Sequence, residues 1–391
     1  MLTALLWFLV VLWLLRAVNV ALGYRFVPKL APSARRAAGG AFVSVIVPAR
    51  DEEREIGPAT ESKLALDDPD FEVVVVDDRS RDRTREILRT LEAGHPDRLR
   101  LVEGVEPPPG WLGKPHALHE GVAAARATRP DDWLLFSDAD VFFEPGLLAR
   151  ALSHAESKRL DFLALMPRME MKGFGEWLMA PAVANTGFVY GPGWLANVPS
   201  ATLIPLGAGV FNLIRRRAYD ALGGHEAQKA SVVDDIRLGY RAKRAGFRCG
   251  VALALDSVSV RMYHGLLETI DGFTKNLYFG MGSSLAIALP AIALTLLDGL
   301  LPTAVLLWGL AGLFPGPGTL PFALALAVAL LTAAVRGALH LRLGYSVASI
   351  LLHPIFILTM GLTALRSTWV NGVLGRHTWR GREMNARTLR F

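Results

Sequence analysis

Two acidic motifs in this sequence have the residue types and spacing that cation binding and proton transfer require. The first, Asp138-Ala139-Asp140, terminates the apolar, strand-like stretch that begins at Trp133. The two-residue period of a strand aims both carboxylates to the same side, where they can hold a hard divalent cation that bridges phosphate oxygens. The second, Asp234-Asp235, begins a helical pattern. Asp235 is a candidate general base, although the helix dipole alone also favours acidic residues in a first turn.

Two further motifs follow β-branched runs. The run at residues 42–48 ends in Pro48 and leads into polar residues that could hydrogen-bond a base or a ribose; the candidates are Pro48, Ala49, Arg50 and Glu52. The run at residues 71–76 leads into Asp77-Asp78, which can present an aspartate to a uracil or ribose while Ser80 or Asp82 caps the next helix. A strand end with a solvated, acidic helix start is the alternative interpretation of the first motif, and in the second motif one of the two aspartates would be structural.

A proline- and glycine-rich stretch at residues 107–118, P-P-P-G-W-L-G-K-P-H-A-L, contains one lysine. Stiff prolines and the glycines would bring Lys114 near the edge of the predicted sheet, where an ammonium group can meet a diphosphate. A rigid surface loop with a solvated lysine fits the same residues. His116 and His119 lie near the start of the next helical pattern, where a lone histidine is more often structural.

The elements that must position these motifs alternate between strands and helices from Ala41 onward. Short buried strands alternating with helical patterns predict an α/β fold with a mostly parallel sheet and helices on both of its faces. Ligands of such folds bind beyond the carboxyl ends of the strands. The motifs that follow strands are therefore expected to line a shared cleft.

The composition of the 391 residues excludes several classes of protein. An apolar content of 52% is high for a soluble protein. The single cysteine, Cys249, excludes an internal disulfide and any multi-cysteine metal site, and it fits a domain on the reducing side of a membrane. A net charge of +6 comes without zinc-finger spacing or an aromatic-basic RNA motif, so we expect no nucleic-acid partner.

An apolar stretch predicts a membrane anchor over residues 1–24. Residues 2–15 carry no charge, and the apolar pattern continues after Arg16 to Tyr24, about long enough to cross a hydrocarbon core of roughly 30 Å. A cleaved signal peptide is the alternative, but such peptides carry positive charge before the apolar run. Here the basic residues follow the run's uncharged part: Arg16, Arg25, Lys29, Arg35 and Arg36. Positive charges tend to stay inside, so the globular part, residues 41–276, is expected on the cytoplasmic side of the cell (inner) membrane.

A second membrane region is predicted over residues 283–366. Its first part, residues 283–314, is too long for one upright helix and has Asp298-Gly299 near its middle. This predicts either a tight hairpin or an interfacial helix followed by a span.

Two more apolar segments, residues 322–335 and 347–365, give three or four C-terminal segments and a multi-pass protein. Charged or polar residues separate these two segments: Arg336, His340 and Arg342. Residues 367–391 form a basic tail whose positive charge favours the cytoplasm, and therefore the hairpin.

The order of these five motifs resembles that of the family 2 glycosyltransferases, which have the nucleotide-sugar-binding fold called GT-A, over residues 42–276. The resemblance implies that Asp78 contacts the nucleotide, that Asp138 and Asp140 hold the diphosphate and a Mg or Mn ion, and that Asp235 is the catalytic base of an inverting transfer. The predicted donor-binding residues are Pro48, Ala49, Arg50, Glu52, Asp77, Asp78, Lys114, Asp138 and Arg261.

Membrane-bound members that act on hopanoid, carotenoid or related lipids are the most similar group, through G-W-L-G-K-P-H-A-L, V-S-V-R-M-Y and T-W-R-G-R. Processive polysaccharide synthases of the family carry Q-x-x-R-W after the base helix, whereas this chain has Val260-Arg261-Met262-Tyr263-His264 there. The resemblance thus implies a single sugar transfer from a nucleotide-sugar to a lipid-like acceptor. Residues 174–199 are apolar and aromatic but interrupted by prolines and glycines, so they could lie in the bilayer interface where such an acceptor arrives, or simply pack in the core.

Three alternatives stay open at this point: a processive polysaccharide synthase, a polytopic lipid transporter or flippase, and a binding module without chemistry. A transporter is expected to bury charges among its membrane segments, and the sequence offers few there. A binding module would not require both the acidic pair and the base.

Overall fold

A globular part and a set of apolar helices make up the computed structural model, which describes residues 1–32, 39–204, 206–379 and 382–385. Arg35 and Arg36, which entered the predicted charge bias after the first apolar stretch, lie outside the described residues. The same holds for Arg380 and Gly381 in the basic tail.

The β-strands of the described chain form three sheets. In chain order the strands are β1 Val43–Ala49, β2 Phe71–Asp77, β3 Leu99–Glu103, β4 Trp133–Phe136, β5 Val141–Phe143, β6 Phe162–Met166, β7 Arg168–Met169, β8 Asn212–Arg215, β9 Cys249–Leu253, β10 Val258–Val260, β11 Arg376–Trp379 and β12 Arg382–Asn385. The central sheet has the order β3-β2-β1-β4-β8-β6-β9, and the small second sheet has the order β5-β10-β7. The last two strands pair as a hairpin.

Parallel pairing dominates the central sheet. β1 pairs in parallel with β2 and β4, β2 with β3, and β6 with β9, whereas β8 is antiparallel to β4 and β6. All seven residues of β2 are buried, as expected for a strand that is covered on both faces. The predicted α/β fold with a mostly parallel sheet is therefore confirmed. Its topology brings the carboxyl ends of β1, β2 and β4 together at one edge.

The helices of the described chain either cover the sheet or form the apolar part. They are α1 Leu2–Phe26, α2 Ile56–Leu64, α3 Thr84–Gly94, α4 Gly113–Ala124, α5 Leu147–Ser157, α6 Phe174–Met179, α7 Ala182–Asn185, α8 Arg216–Ala221, α9 Asp234–Arg244, α10 Leu266–Gly280, α11 Leu285–Leu310, α12 Leu320–Leu343 and α13 His353–Ser367. Single π-helical turns follow α7 at Thr186–Tyr190 and α13 at Thr368–Val373. Short 3₁₀ turns occur at Gly193–Asn197, Glu226–Gln228 and Val347–Ile350.

Among the described helices, α1, α11 and α12 are long and apolar enough to cross a membrane. Large apolar side chains on their outer faces are exposed, for example Leu15, Trp308 and Leu341. A contiguous apolar exterior of this kind is expected where lipid rather than water surrounds a helix.

The expected break in residues 283–314 does not occur. Residues Leu285–Leu310 form one continuous helix, α11, with Pro290 and Pro302 inside it. Two features explain the difference. The ends of the stretch form turns that shorten the helix to 26 residues, or about 39 Å. Asp298, which suggested a turn, is instead buried and forms an ion pair with Arg16 of α1.

The polar residues that were predicted to separate two segments lie inside α12. Arg336 and His340 are buried, and they share one face of the helix because they are four residues apart. Arg342 donates a hydrogen bond to the carbonyl oxygen of Val27, beyond the end of α1. The last apolar segment becomes a 3₁₀ turn followed by α13, which with 15 residues is shorter than a span of about 20 residues requires. The described C-terminal part thus has two helices of spanning length and a shorter third.

Helix α1 is attached to the globular part at several points. Asn19 donates to the carbonyl oxygens of Phe188 at 3.0 Å and Gly191 at 2.8 Å, and it accepts a hydrogen bond from Trp194 Nε1 at 2.8 Å. Just after the helix, Leu30 N donates to Leu253 O at 2.7 Å, at the end of β9. The interrupted segment 174–199 therefore contacts α1 rather than forming a span of its own.

Candidate active site

A cleft opens where β1 and β4 end and α9 begins. Six of the side chains around it are Pro48, Lys114, Asp138, Asn212, His225 and Asp235. Pro48 and Asp138 meet because the neighbouring parallel strands β1 and β4 end at the same edge of the sheet. Helix α4, the start of antiparallel β8 and the start of α9 bring Lys114, Asn212 and Asp235 to that edge. Four of them are predicted site residues: Pro48, Lys114, Asp138 and Asp235.

The Asp138-Ala139-Asp140 motif lies in the connection between β4 and β5, with a turn at Ala139 and Asp140, and not within a strand. The expectation that strand periodicity aligns the two carboxylates is therefore wrong, because β4 ends at Phe136. Backbone hydrogen bonds hold the motif in place instead: Ser137 N donates to Ile46 O at 3.1 Å, and Asp138 N donates to Gly209 O at 3.0 Å.

The two carboxylates of the motif influence each other. Burial, together with the negative charge of Asp138, raises the pKa of Asp140 from 3.8 to about 6. Lys114 Nζ lies 2.6 Å from Asp138 Oδ1, and the charges of Asp138, Asp234 and Asp235 raise the pKa of this lysine despite its burial. Lys114 therefore balances part of a concentrated negative charge.

A buried lysine that the sequence gave no reason to select lies behind the motif. Lys63 on α2 is fully buried and donates hydrogen bonds to the carbonyl oxygens of Ala59 and Val141. Burial lowers its pKa from 10.5 to about 7, although Asp140 and Asp138 oppose that effect. A single lysine in a short helix is usually solvated, so only the packing of α2 beside β5 identifies it.

Helix α9 brings its first-turn aspartates to the opposite side of the cleft. Asp234 is buried, and burial with the charges of Asp235 and Asp138 raises its pKa although Lys114 opposes the shift. Asp235 is more exposed than Asp234. A carboxylate that reaches solvent can meet an incoming substrate, whereas the buried one mainly adds negative potential.

Two glycines allow the carboxylates to approach each other. A Cβ on Gly209 would lie 2.6 Å from Asp138 Oδ2 and 3.3 Å from Asp235 Oδ2. A Cβ on Gly207 would lie 2.3 Å from the backbone oxygen of Asp235, and this glycine has a φ of +150°. Asn212 ties the same turn to α9, since it accepts from Ala208 N at 3.0 Å and donates to Asp235 O at 3.3 Å.

His225 forms an uncharged wall of the cleft. It is buried, and its Nδ1 lies 2.8 Å from the hydroxyl of Tyr219. Burial, together with the positive charges of Lys114 and His119, lowers the pKa of His225 to about 3. The imidazole is therefore neutral at physiological pH and does not add to the positive charge of Lys114.

The other predicted donor-binding residues lie at the ends of β1 and β2. Asp78 N donates to Ala49 O at 2.8 Å, and the Asp78 carboxylate pairs with Arg79 at 2.5 Å and Arg50 at 3.3 Å. Asp77 is fully buried, accepts from Ser80 N at 3.1 Å and pairs with Arg85 at 2.6 Å. Glu52 N donates to Thr84 Oγ1 at 2.8 Å, which joins the two loops. Asp77 therefore shapes the turn that presents Asp78.

Arg261 does not line the cleft. It forms an ion pair with Glu176 at 2.7 Å, and the hydrogen bond from Arg261 is the main cause that lowers the pKa of Glu176 to about 2. Glu176 also accepts from Gly265 N at 3.0 Å, so the pair fixes the start of α10. Tyr263 interacts electrostatically with Asp140, and burial with that charge raises its pKa to about 12. Neither Glu176 nor Tyr263 was a predicted site residue.

The acidic motif fits a divalent cation that keeps other ligands. No group of three or more His, Cys, Asp or Glu side chains that could hold a metal ion occurs among the described residues. Two carboxylates suit a hard cation that takes its remaining ligands from phosphate and water, as Mg²⁺ does.

Comparison with known sequences gives one family and a set of bacterial relatives. Residues 40–264 match the family described as Glycosyltransferase like family 2. The chain is 27% identical over 257 residues to the 4,4'-diaponeurosporenoate glycosyltransferase of Staphylococcus aureus strain USA300, and 28% identical to that of strain MRSA252. In both cases the match spans 65% of this chain and 65% of the relative, slightly under two thirds of its length.

Comparison with solved structures finds a similar fold along almost the whole chain. The mannosyltransferase PcManGT from Pyrobaculum calidifontis, solved in complex with GDP-Man and Mn²⁺, superposes with a TM-score of 0.53 at 21% sequence identity. The match covers 95% of this chain and 99% of that one. At this identity the similarity concerns the fold.

Proposed function

This chain belongs to the Glycosyltransferase like family 2, and from this premise we propose that it transfers one sugar from a nucleotide-sugar donor to a lipid-like acceptor at a membrane, with inversion at the anomeric carbon. The observation that carries the proposal is the approach of Asp138 and Asp235 to Gly209, beside Lys114. In this arrangement Lys114 and Asp138 would bind the diphosphate and its cation, and Asp235 would act as the base in the same cleft.

The donor would lie along the carboxyl edge of the sheet. Asp78, which pairs with Arg50, would contact the nucleotide, and Lys114, which lines the cleft, would meet the diphosphate. Asp138 and Asp140 would hold the Mg²⁺ or Mn²⁺ ion, which when bound supplies positive charge that offsets the charge of the departing diphosphate. Lys114, now paired with Asp138, would then be available to a phosphate oxygen.

Asp235 is the proposed general base. It would accept the proton of the acceptor hydroxyl while that oxygen attacks the anomeric carbon in line with the leaving diphosphate. Asp234 would keep its buried position beside it and raise the negative potential, and Asn212 would hold the backbone of Asp235. One displacement inverts the anomeric configuration.

The apolar helices and the relatives support a location at the membrane and a lipid acceptor. The exposed apolar faces of α1, α11 and α12 support a multi-pass protein, and a lipid acceptor would reach the cleft from the bilayer. The basic residues that follow the first apolar run favour a cytoplasmic catalytic part. The name of the staphylococcal relatives supports a carotenoid-type acceptor. The boundaries of the anchor (1–24), the catalytic domain (41–276), the C-terminal membrane part (283–366) and the tail (367–391) stay predictions.

A single transfer is favoured over polymer synthesis. Arg261, in the sequence position of the family's polymerase motif, is held by Glu176 and lacks the flanking residues of that motif. Product size decides between the two: one added sugar per lipid supports the proposal, and a ladder of lengths contradicts it.

Replacement of Asp235 by Asn tests the proposed base. Membranes containing the full chain would be incubated with a panel of radiolabelled UDP- and GDP-sugars, and the lipid phase would be extracted. We expect Asp235→Asn to lower transfer by about 10²- to 10⁴-fold while the Kd of the donor stays within a few fold. Asp220→Asn is the matched control, because Asp220 lies on the surface in an ion pair with Arg216. Transfer at the native rate by Asp235→Asn would remove it from this role.

A further inference from the structure

Six polar or aromatic side chains from five elements meet inside the bundle of apolar helices. We call them the buried polar cluster: Trp13 and Arg16 of α1, Tyr190 of the π turn after α7, Asp298 of α11, Arg336 of α12 and His353, the first residue of α13. Arg16, Asp298, Arg336 and His353 are all at most 9% exposed. Ionisable groups buried among apolar helices are costly, and they either pair with one another or mark a functional site.

One half of the buried polar cluster is satisfied internally. Arg16 forms an ion pair with Asp298, and Trp13 Nε1 donates to the other carboxylate oxygen of Asp298 at 2.7 Å. The Arg16 guanidinium also lies 4.7 Å from the ring centroid of Trp13 and 4.8 Å from that of Tyr190. Asp298 is therefore fully engaged by α1.

The other half is incomplete. Arg336 Nη1 bonds His353 Nδ1, but Arg336 Nε and Nη2 have no hydrogen-bond partner among the described residues. The same is true of His353 Nε2 and the Tyr190 hydroxyl. Arg336 is 1% exposed, and its guanidinium lies 4.7 Å from the ring centroid of Phe356. A buried guanidinium with two free donors is strongly unfavourable without an anion.

The charges of the region do not balance. Asp298 is the one acidic residue in the sequence from Leu285 to Leu365, and helix α1 contains none. Because Arg16 already pairs with Asp298, Arg336 lacks a carboxylate of its own. Helix α13 begins at His353, so the partial positive charge of its amino end adds to that of Arg336.

We propose that the buried polar cluster binds the oxyanion, a carboxylate or phosphate, of a lipid-soluble molecule. Nε and Nη2 of Arg336 form one edge of the guanidinium, a fork whose two parallel N–H groups match two oxygens of such an anion. If His353 Nδ1 accepts from Arg336, its Nε2 carries a proton and is a further donor. Because apolar helices surround the cluster, an anion that reaches it from the bilayer would be carried on an apolar chain.

Thermal unfolding of the purified full chain in detergent, without a sugar donor, tests this site, so the result does not depend on the proposed transfer. Four additions are compared: oleate, dioleoylphosphatidic acid, inorganic phosphate, and the uncharged oleyl alcohol. We expect oleate or dioleoylphosphatidic acid to raise the Tm by several degrees and oleyl alcohol to leave it unchanged. An equal rise with oleyl alcohol would show unspecific apolar binding, and an equal rise with inorganic phosphate would exclude a lipid ligand. Either result overturns the proposal.

Replacement of Arg336 by Met identifies the residue responsible. We expect Arg336→Met to unfold at a Tm no lower than that of the native chain without additions, since an unpaired buried charge is removed, and to lose the rise with the lipid anions. Arg342→Met on the same helix is the control, because Arg342 bonds Val27 O and lies over Tyr24 at the end of the bundle, and it should keep the rise. Arg336→Lys keeps the charge without the fork, so it should keep only part of the rise in Tm with the lipid anions. This variant remains informative if the Met variant does not fold. A purely structural arginine would instead give a lower Tm and an undiminished rise.

Discussion

The proton on Asp140 competes with the proposed cation. Folding raises the pKa of this carboxyl from 3.8 to about 6 and so favours its protonated form. The stability that this protonation contributes to the folded chain is fully present below pH 3.8 and is lost as the pH rises through about 6. Since a cation needs the ionised form, Mn²⁺ affinity should fall as the pH drops below about 6 and level off above it.

Titration of Mn²⁺ by electron paramagnetic resonance at a series of pH values measures this dependence without any turnover. Asp140→Asn is the comparison, and it should bind Mn²⁺ weakly with a flatter pH profile. A native-chain affinity that does not change between about pH 5 and 7 would contradict the assignment of Asp140 as a ligand.

Gly209 is predicted to tolerate no side chain. A Cβ there would meet the carboxylates of Asp138 and Asp235, so Gly209→Ala should push them apart and lower transfer at least about tenfold, with little change in the Tm. Gly146→Ala is the control, because a Cβ at Gly146 has no atom within 4 Å. Equal activities of the two variants would show that the close approach of the carboxylates is not required.

At the scale of elements, the ion pair between Arg16 and Asp298 fixes α1 against α11. Asp298→Asn leaves a buried arginine without its counter-charge and should lower the free energy of unfolding by about 3 to 5 kcal/mol. The double variant Arg16→Met with Asp298→Leu should recover most of this loss, because it removes both charges. Chemical denaturation in detergent measures the free energy of unfolding of the single and the double variant. A double variant as unstable as Asp298→Asn would show that the pair acts through geometry rather than charge.

The local sequence pattern was enough to predict the helices and strands that carry the site, but not the side chains from distant parts of the chain that pack against them. The sequence runs that end at residues 48 and 76 each stop one residue short of the observed strand ends, Ala49 of β1 and Asp77 of β2, and the predicted helix start at Asp234 is the start of α9. Composition and periodicity therefore made the α/β fold and much of the cleft predictable. Lys63 was not predictable, because only packing reveals that α2 buries it. Helix α11 was misjudged for a similar reason: Arg16 and Asp298 are 282 residues apart, so no local signal shows that the aspartate is paired.

For the whole molecule, the order of the helices predicts a topology. With the catalytic part inside, α11 leads out and α12 returns, which leaves the connection 311–319 outside. Cysteines at Pro317 and at Ser157, both exposed, test this in a Cys249→Ser background. Burial raises the pKa of the Cys249 thiol to about 12, so the native thiol itself should react slowly.

In intact cells a membrane-impermeant maleimide should label Pro317→Cys and spare Ser157→Cys, and permeabilisation should expose both. Labelling of Ser157→Cys in intact cells would reverse the proposed orientation. Equal labelling of both before permeabilisation would exclude a bilayer between them.

The hydrogen bonds of Asn19 to the segment 186–194, together with the link between Leu30 and Leu253, tie α1 to the catalytic domain. If α1 crosses the bilayer as proposed, these contacts would hold the domain at a fixed distance from the lipid surface. A catalytic domain on a flexible tether could sample a range of distances from the membrane, whereas this domain would be held at one distance. Selection among acceptors would then depend on how far the reactive oxygen protrudes from the hydrocarbon layer, and lipids with very different tails but equal protrusion should compete for the same turnover.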